Sequence, residues 1–267
     1  MQFEEYFPNS KKLALFAVTN VLFKTYFKLN TLPLCNKLIN AIEGQPNSQS
    51  KSAMEIAIMT HLSYFPVADV VTYKYHIGRL KMFEDRYDEA RECLRFALLF
   101  TPHSELKDKQ LILISLVPVE MCLGVMPTEL IATTYGLHQY VIIGQAAAKG
   151  DIRTFEAVMR DNQVTFIRLG VYLVLEQVKL IAYRSLFKRV YVLTSMTRLR
   201  LQLFEAAFKW LGEDIDLDEI ECIISNLIYQ GKIKGYISHE KRTLIISKAD
   251  PFPMSAIVKK YKFHSLL

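Results

Sequence analysis

The feature that most constrains this sequence is an acidic helix start that leads directly into two short runs of alternating residues. Asp216 is followed three residues later by Glu219, a variant of the capping box in which two side chains satisfy free backbone donors. Apolar residues then recur at three- and four-residue spacing, which predicts a helix with one buried face. That face comprises Leu217, Ile220, Ile224 and Leu227. Gly231 ends the helix, because glycine adopts the left-handed conformation at little cost.

Two strands are predicted after this helix. Ile233 and Ile237 alternate with residues suited to solvent, and residues 243–247 form a second run that buries Leu244 and Ile246 against them. The residues between the two runs form the tip of a hairpin. A capped helix followed by a hairpin is the second half of a winged-helix module, in which the hairpin is the wing.

Upstream of this module the sequence predicts paired antiparallel helices. One set of residues falls close to the spacing of a tetratricopeptide unit, in which small residues let two helices approach closely. The set comprises Gly78, Tyr87, Ala90, Leu94, Ala97 and Pro102. Residues 12–28 pair with 32–42, and residues 139–149 pair with 152–161. Such hairpins bury their apolar faces by stacking on one another.

The predicted fold is therefore mainly α, with a tetratricopeptide-like helical-hairpin array followed by a winged-helix subdomain. The array occupies residues 1–178, the winged helix residues 179–250 and a basic tail residues 251–267. Residues 44–70 form an insert that begins with a loop rich in Gln, Pro, Asn and Ser. Residues 54–64 of this insert are either an added helix or an unstructured segment.

Several longer stretches resemble PCI-domain proteins. The C-terminal signature is NLIYQGKIKGYIS from Asn226, followed by LIISKADPFP from Leu244. Three upstream stretches narrow the resemblance to the PCI-domain-containing protein 2 type, the PCI subunit of the nuclear complex that couples transcription to mRNA export. They are KLALFAVTNVLFKTYFKLN from Lys12, LVPVEMCLGVMPTELIATTYGLHQY from Leu116 and FIRLGVYLVLEQVKLIAYRSLFKRVYVL from Phe166.

This resemblance implies a PCI module that acts as a non-catalytic scaffold in the nucleus and at the nuclear pore, with some of the protein in the cytoplasm. It implies three partners: a larger PCI scaffold subunit of the GANP type, a small, acidic, largely disordered subunit, and RNA or single-stranded nucleic acid. Family chains carry helices before the position of Lys12, so the amino end is expected to be short relative to the family. An apolar surface is then expected at Leu13, Leu15, Phe16 and residues 18–23.

Charge narrows the predicted nucleic-acid contacts to the winged helix. The chain has a net charge of +6, and the basic residues between 179 and 209 are opposed only by Glu205. The candidate contacts are Arg198 and Arg200, expected on the first helices, and Lys232, Lys234, His239, Lys241, Arg242 and Lys248, expected on or beside the wing. Lysines on a short hairpin also protect an edge strand from aggregation, so a structural role remains the alternative.

Other function classes find less support in the sequence. It contains no phosphate-binding GxxxxGK[ST], no HExxH and no GxSxG, and its cysteines form no CxxC pair, so neither an enzyme nor a cofactor is predicted. No apolar run reaches the roughly 20 residues that span a bilayer, so no membrane insertion is predicted. A sequence-specific transcription factor is disfavoured, because Asp218, Glu219 and Glu221 would repel phosphates at the groove. The remaining alternative is a purely structural subunit of a proteasome-lid-like or signalosome-like assembly.

Overall fold

A computed structural model of the chain describes residues 14–43 and 65–253. By its internal contacts the chain divides into two compact units, Met1–Leu116 and Val117–Leu267. The predicted tail after residue 253 and most of the predicted insert lie outside the described residues.

The first unit consists of antiparallel helices. Their bounds are α1 Leu15–Lys28, α2 Leu32–Glu43, α3 Val67–Phe83 and α4 Tyr87–Phe100, and the division between the units falls within α5, Leu106–Cys122. The hairpins predicted from residues 12–42 and from the tetratricopeptide-like set are therefore confirmed. Gly78 explains how closely α3 and α4 approach, because a Cβ atom at this position would lie 2.6 Å from Leu94 Cγ and 3.2 Å from the carbonyl oxygen of Ala90.

The apolar surface that the sequence predicts on α1 is partly buried in the core of the first unit. Phe16 and Phe23 are each 1% exposed, because both rings pack on Tyr73 of α3, with centroids 4.6 and 5.8 Å away. Val18 and Val21 point away from this core and are 57% and 63% exposed. The predicted apolar surface of α1 is thus narrower than the sequence indicated.

The second unit consists of further helices and ends in the winged helix. Its elements after α5 are α6 Glu129–Tyr135, α7 His138–Lys149, α8 Ile152–Asp161, α9 Gln163–Leu169, α10 Tyr172–Thr194, β1 Arg198–Arg200, α11 Leu201–Leu211, α12 Leu217–Tyr229, β2 Gly235–Ser238 and β3 Thr243–Ile246. The predicted hairpin of α7 and α8 is confirmed, and the Asp151 side chain caps α8 by accepting a hydrogen bond from the Thr154 N–H at 3.1 Å. The winged-helix boundary predicted at residue 179 falls inside α10.

Helix α12 forms as its sequence predicts. The Asp216 carboxylate accepts a hydrogen bond from the Glu219 N–H at 2.7 Å, which fixes the helix start. Ile220, Ile224 and Leu227 are fully buried, whereas Leu217 is only partly buried. The helix ends before Gly231, which has a φ of +68°.

The sheet contains one strand that the sequence analysis missed. Its order is β1-β3-β2, and β3 pairs antiparallel with both neighbours. Arg198 and Arg200 were expected on helices, but they lie on β1, where Leu199 between them is fully buried. A strand of three residues gives too short an alternation to be recognised from sequence. Among the residues described, no helix combines the length and apolar character needed to cross a membrane.

The burial of Leu227 predicts its contribution to stability. Replacing Leu227 with Ala should lower the free energy of unfolding by roughly 2–5 kcal/mol, because the fully buried side chain leaves a cavity. Urea denaturation measures this change. Tyr229 of the same helix is 91% exposed, so Tyr229→Ala is the matched control and should change stability by less than about 0.5 kcal/mol. Equal effects of the two changes would contradict the placement of α12.

Candidate nucleic-acid interface

The sheet of the winged helix has one buried and one exposed face. Leu199 and Ile237 are the cross-strand partners of Leu244, and the side chains of Leu199 and Leu244 are fully buried. Because side chains alternate along a strand, the neighbours of these residues face outward. We call this the outer sheet face, which comprises Arg198, Arg200, Tyr236, Thr243 and Ile245.

The outer sheet face brings two of the predicted contacts together with an aromatic residue. Arg198 and Tyr236 both pair with Ile245, from opposite sides, so they lie in one row across the sheet. Arg198 and Arg200 are exposed, and Tyr236 is 63% exposed. Tyr236 was not among the predicted site residues, although its alternation with Ile237 already indicated an outward position.

Two side chains at the tip of the wing, Arg242 and His239, lie against acidic residues of α12. Arg242 donates a short hydrogen bond from Nη1 to the Asp218 carboxylate, and the same nitrogen lies 3.8 Å from Glu221 Oε2. His239 Nδ1 lies 2.9 Å from Glu221 Oε1. The hydrogen bond to Asp218 raises the pKa of Arg242 above its ordinary value. Arg242, one of the predicted nucleic-acid contacts, is therefore paired with the acidic start of α12, whereas its neighbour Lys241 has no ion-pair partner among the described residues.

The other candidate residues divide by their surroundings. Lys234 Nζ lies 3.7 Å from Asp250 Oδ2, and Lys232 is partly buried beside the end of α12. Lys241 and Lys248 are exposed. Within the described ranges, the candidates without an ion-pair partner are Arg198, Arg200, Lys232, Lys241 and Lys248. The structure thus separates four exposed side chains without an ion-pair partner from three that lie against a carboxylate and from one recessed lysine.

A groove between α10 and α11 was missed by the sequence analysis. Its volume is about 740 Å³, and we call it the basic groove because Lys188 and Arg189 line it beside Val192, Leu193 and Trp210. Leu193 is 85% and Trp210 82% exposed. The signal in the sequence was the single tryptophan, which lies outside the buried stripe of α11 formed by Phe204, Phe208 and Leu211.

A smaller recess of about 220 Å³ adjoins the basic groove and contains Lys232. Arg184 of α10 lines both and donates hydrogen bonds from Nη2 to the carbonyl oxygens of Phe252 and Pro253, at 2.6 and 3.1 Å. Burial lowers the pKa of both Lys232 and Arg184 from their ordinary values. No group of three or more metal-binding side chains occurs in the part of the chain that the structure describes.

Comparison with known proteins is consistent with this architecture. The PCI domain model matches residues 159–248. The chain is 40% identical to PCI domain-containing protein 2 of Xenopus laevis, over 92% of this chain and 59% of that protein. For the Drosophila melanogaster homolog the identity is 39%, over 92% and 59%. For the Protein CSN12 homolog of Neurospora crassa it is 29%, over 93% and 56%. The chain thus spans less than two thirds of the length of these relatives.

A helical array that ends in a winged helix, together with the match at residues 159–248, defines the chain as a PCI-domain protein. Its similarity along 92% of its length places it with the PCI domain-containing protein 2 type, as the sequence resemblance predicted.

The contacts of Arg184 predict how the segment after β3 is held. Replacing Arg184 with Lys keeps the charge but removes the guanidinium Nη2, which donates to both carbonyl oxygens. Amide hydrogen exchange in residues 249–252, measured by mass spectrometry, should become roughly tenfold faster. Arg189→Lys, an exposed arginine of the same helix, is the control and should leave this exchange unchanged. Unchanged exchange in both variants would mean that Arg184 does not hold the segment.

Proposed function

We propose that this chain is a non-catalytic scaffold subunit of a nuclear mRNA-export complex, located in the nucleus and at the nuclear pore. Its partners are a larger GANP-type PCI scaffold subunit and a small acidic disordered subunit, and its winged helix contacts RNA. PCI-domain proteins are generally non-catalytic scaffold subunits, which supports the first part. The observation that carries the RNA contact is the outer sheet face, where two unpaired arginines lie beside an exposed tyrosine.

The chemistry of the outer sheet face suits a single strand better than a duplex groove. Arg198 and Arg200 project from the same side of β1, where their guanidinium groups can each contact a phosphate. Tyr236 offers a flat ring on which a base can stack, an interaction that tolerates any sequence. The acidic start of α12 opposes insertion of that helix into a major groove. RNA binding by this face is therefore expected to depend on salt and to vary little with sequence.

Salt dependence tests this surface directly. Replacing Arg198 and Arg200 together with Gln should weaken binding to unrelated single-stranded RNAs by similar factors. It should also lower the slope of log affinity against log salt by roughly 1 to 2, because fewer counterions are released from the RNA when fewer phosphates are contacted. Fluorescence anisotropy over a salt series gives both quantities.

The paired wing tip supplies the matched control for this experiment. Arg242→Gln removes the same charge as one of the β1 changes, but from a residue held by Asp218 and Glu221, so its effect should be the smaller. Replacing Asp218 with Asn and Glu221 with Gln should strengthen RNA binding mildly, because the wing-tip cations then lose their partners. If Arg242→Gln is as damaging as the β1 double change, the wing tip is the RNA contact instead.

The basic groove provides the surface that best fits a small acidic subunit. An acidic, flexible chain carries the charge that Lys188 and Arg189 would attract, and its apolar side chains would cover Val192, Leu193 and Trp210. Large exposed apolar side chains beside cations are otherwise an unfavourable surface. The groove thus supports this partner by both charge and apolar area.

Affinity purification of the tagged chain tests the partners. Recovery of a larger PCI scaffold subunit and a small acidic subunit is expected, and Trp210→Ala should reduce recovery of the acidic subunit more than that of the scaffold. Tyr229→Ala is the control, because it removes an equally exposed aromatic side chain from α12. Unchanged recovery of the acidic subunit with Trp210→Ala would place it elsewhere.

A purely structural PCI subunit of a proteasome-lid-like or signalosome-like assembly is the second candidate. The ion pairs of Arg242 and His239 with α12 favour it, because they give the wing-tip charges a role within the protein. Absence of RNA binding at physiological salt, together with recovery of lid or signalosome subunits, would support this candidate over the first.

A further inference from the structure

Two cations share a recess that has no acidic side chain among the described residues that line it. Arg184 projects from α10, and Lys232 follows the end of α12. The remaining lining residues are Cys122, Leu123, Gly124, Met126, Ala148, Ile181, Ser185 and Pro253. Two positive charges therefore face one small space without a carboxylate among its walls.

The surroundings of Lys232 do not supply a partner for its charge. Its ammonium makes no hydrogen bond or ion pair with any residue in the described ranges, and it is partly withdrawn from water. The charged groups that act on it are Arg184, which disfavours its protonated form, and the thiol of Cys122, which favours that form when ionised. Asp250 acts on Arg184, but its carboxylate lies at 3.7 Å from Lys234 and does not line the recess.

Withdrawing a cation from water is unfavourable unless an anion or a hydrogen-bond acceptor replaces the lost solvation. Arg184 has such acceptors in the carbonyl oxygens of Phe252 and Pro253. Lys232 has none among the described residues, and the nearby charge of Arg184 adds to the cost of keeping Lys232 protonated. A bound anion would offset both the lost solvation of Lys232 and its repulsion by Arg184. The arrangement is consequently suited to a ligand that carries more than one negative charge on a compact group.

We propose that the recess formed by Arg184 and Lys232 binds a phosphate group, carried either by free inorganic phosphate or by a phosphorylated side chain. The guanidinium donors of Arg184 that do not hold Phe252 and Pro253 can contact phosphate oxygens, and lysine adds a point charge. The recess of about 220 Å³ admits a phosphate group and a short stem. It lies below the roughly 300–1,000 Å³ typical of pockets that enclose larger ligands, which argues against a whole nucleotide.

The proposal predicts a link between phosphate binding and the protonation of Lys232. A bound phosphate favours the charged lysine, so it raises the pKa of Lys232 from its lowered value in the free protein. At a pH where the phosphate is doubly charged, its affinity should consequently be highest below the pKa of Lys232 in the free protein and should fall as the pH rises through that pKa. Arg184 keeps its charge over this range and contributes no comparable dependence.

Isothermal titration calorimetry of the full chain with inorganic phosphate, at constant ionic strength set with NaCl, tests the site. Parent protein and Lys248→Gln should bind phosphate alike, because Lys248 is exposed and lies outside the recess. Lys232→Gln should bind about tenfold more weakly or worse, since a hydrogen bond to a charged group is lost. Lys232→Arg, which keeps a cation, should restore part of the affinity.

A second arm separates the two sources of the phosphate. Gly-phosphoserine-Gly is titrated beside unphosphorylated Gly-Ser-Gly and inorganic phosphate. Tighter binding of the phosphopeptide assigns the site to a phosphorylated chain, and tighter binding of inorganic phosphate assigns it to the free anion. No saturable heat with either phosphate ligand, or equal affinities for Lys232→Gln and Lys248→Gln, overturns the proposal. Since RNA is not used, this outcome is independent of the RNA contact proposed above.

Discussion

The central strand β3 is the constraint on which the surfaces of the winged helix depend. Leu244 lies between β1 and β2 and is fully buried, and its register with Leu199 and Ile237 fixes the side that each neighbouring residue faces. A shift by one residue would bring Arg198 and Arg200 into the core. The exposed position of both arginines therefore follows from the packing of one apolar side chain, and no charge interaction is needed to hold them there.

The same strand determines where the wing tip lies. Arg242 precedes β3 directly and contacts Asp218 near the start of α12, so the hairpin and the helix are joined at their charged ends as well as through their apolar faces. Glu221 contributes to both Arg242 and His239. The acidic start of α12 thus has two roles: it favours the helix through the macrodipole, and it contacts Arg242 and His239 at the tip of the wing.

This pairing changes how the net charge of +6 should be interpreted. The sequence shows the sign of each side chain but not its distance from an opposite charge. Arg242 and Asp218 are separated by 24 positions along the chain and become neighbours only when the hairpin folds back on α12. The field available to a polyanion therefore comes from the unpaired residues, and β1 contributes two of them.

Much of the fold could be predicted because its helices carry strong local signals. The stripe of Ile220, Ile224 and Leu227, the cap at Asp216 and the small residue Gly78 each act within one helix or one hairpin. Interactions between residues close together in the sequence were therefore sufficient to predict these elements. The strand β1 could not be predicted in this way, since Arg198, Leu199 and Arg200 form a strand only by pairing with β3.

The candidate site was less predictable for a related reason. Residue type alone selected Lys232 together with Lys241 and Lys248, but the fold places Lys232 in a recess and leaves the other two in water. Trp210 and Tyr236 were passed over because an aromatic residue is more often part of a core than of a surface. The two residues are 82% and 63% exposed, which agrees with their positions outside the apolar patterns of α11 and β2 and separates them from the buried aromatic residues.

Arg184 contacts three features of the second unit: the basic groove, the recess and the segment after β3. It lines the basic groove, it lines the recess with Lys232, and it holds the carbonyl oxygens of Phe252 and Pro253. A single guanidinium group cannot pair fully with one anion in the basic groove and a second anion in the recess at the same time. An acidic chain in the groove and a phosphate in the recess would therefore compete for Arg184. Binding of either ligand would in turn affect the hydrogen bonds by which Arg184 holds the segment after β3.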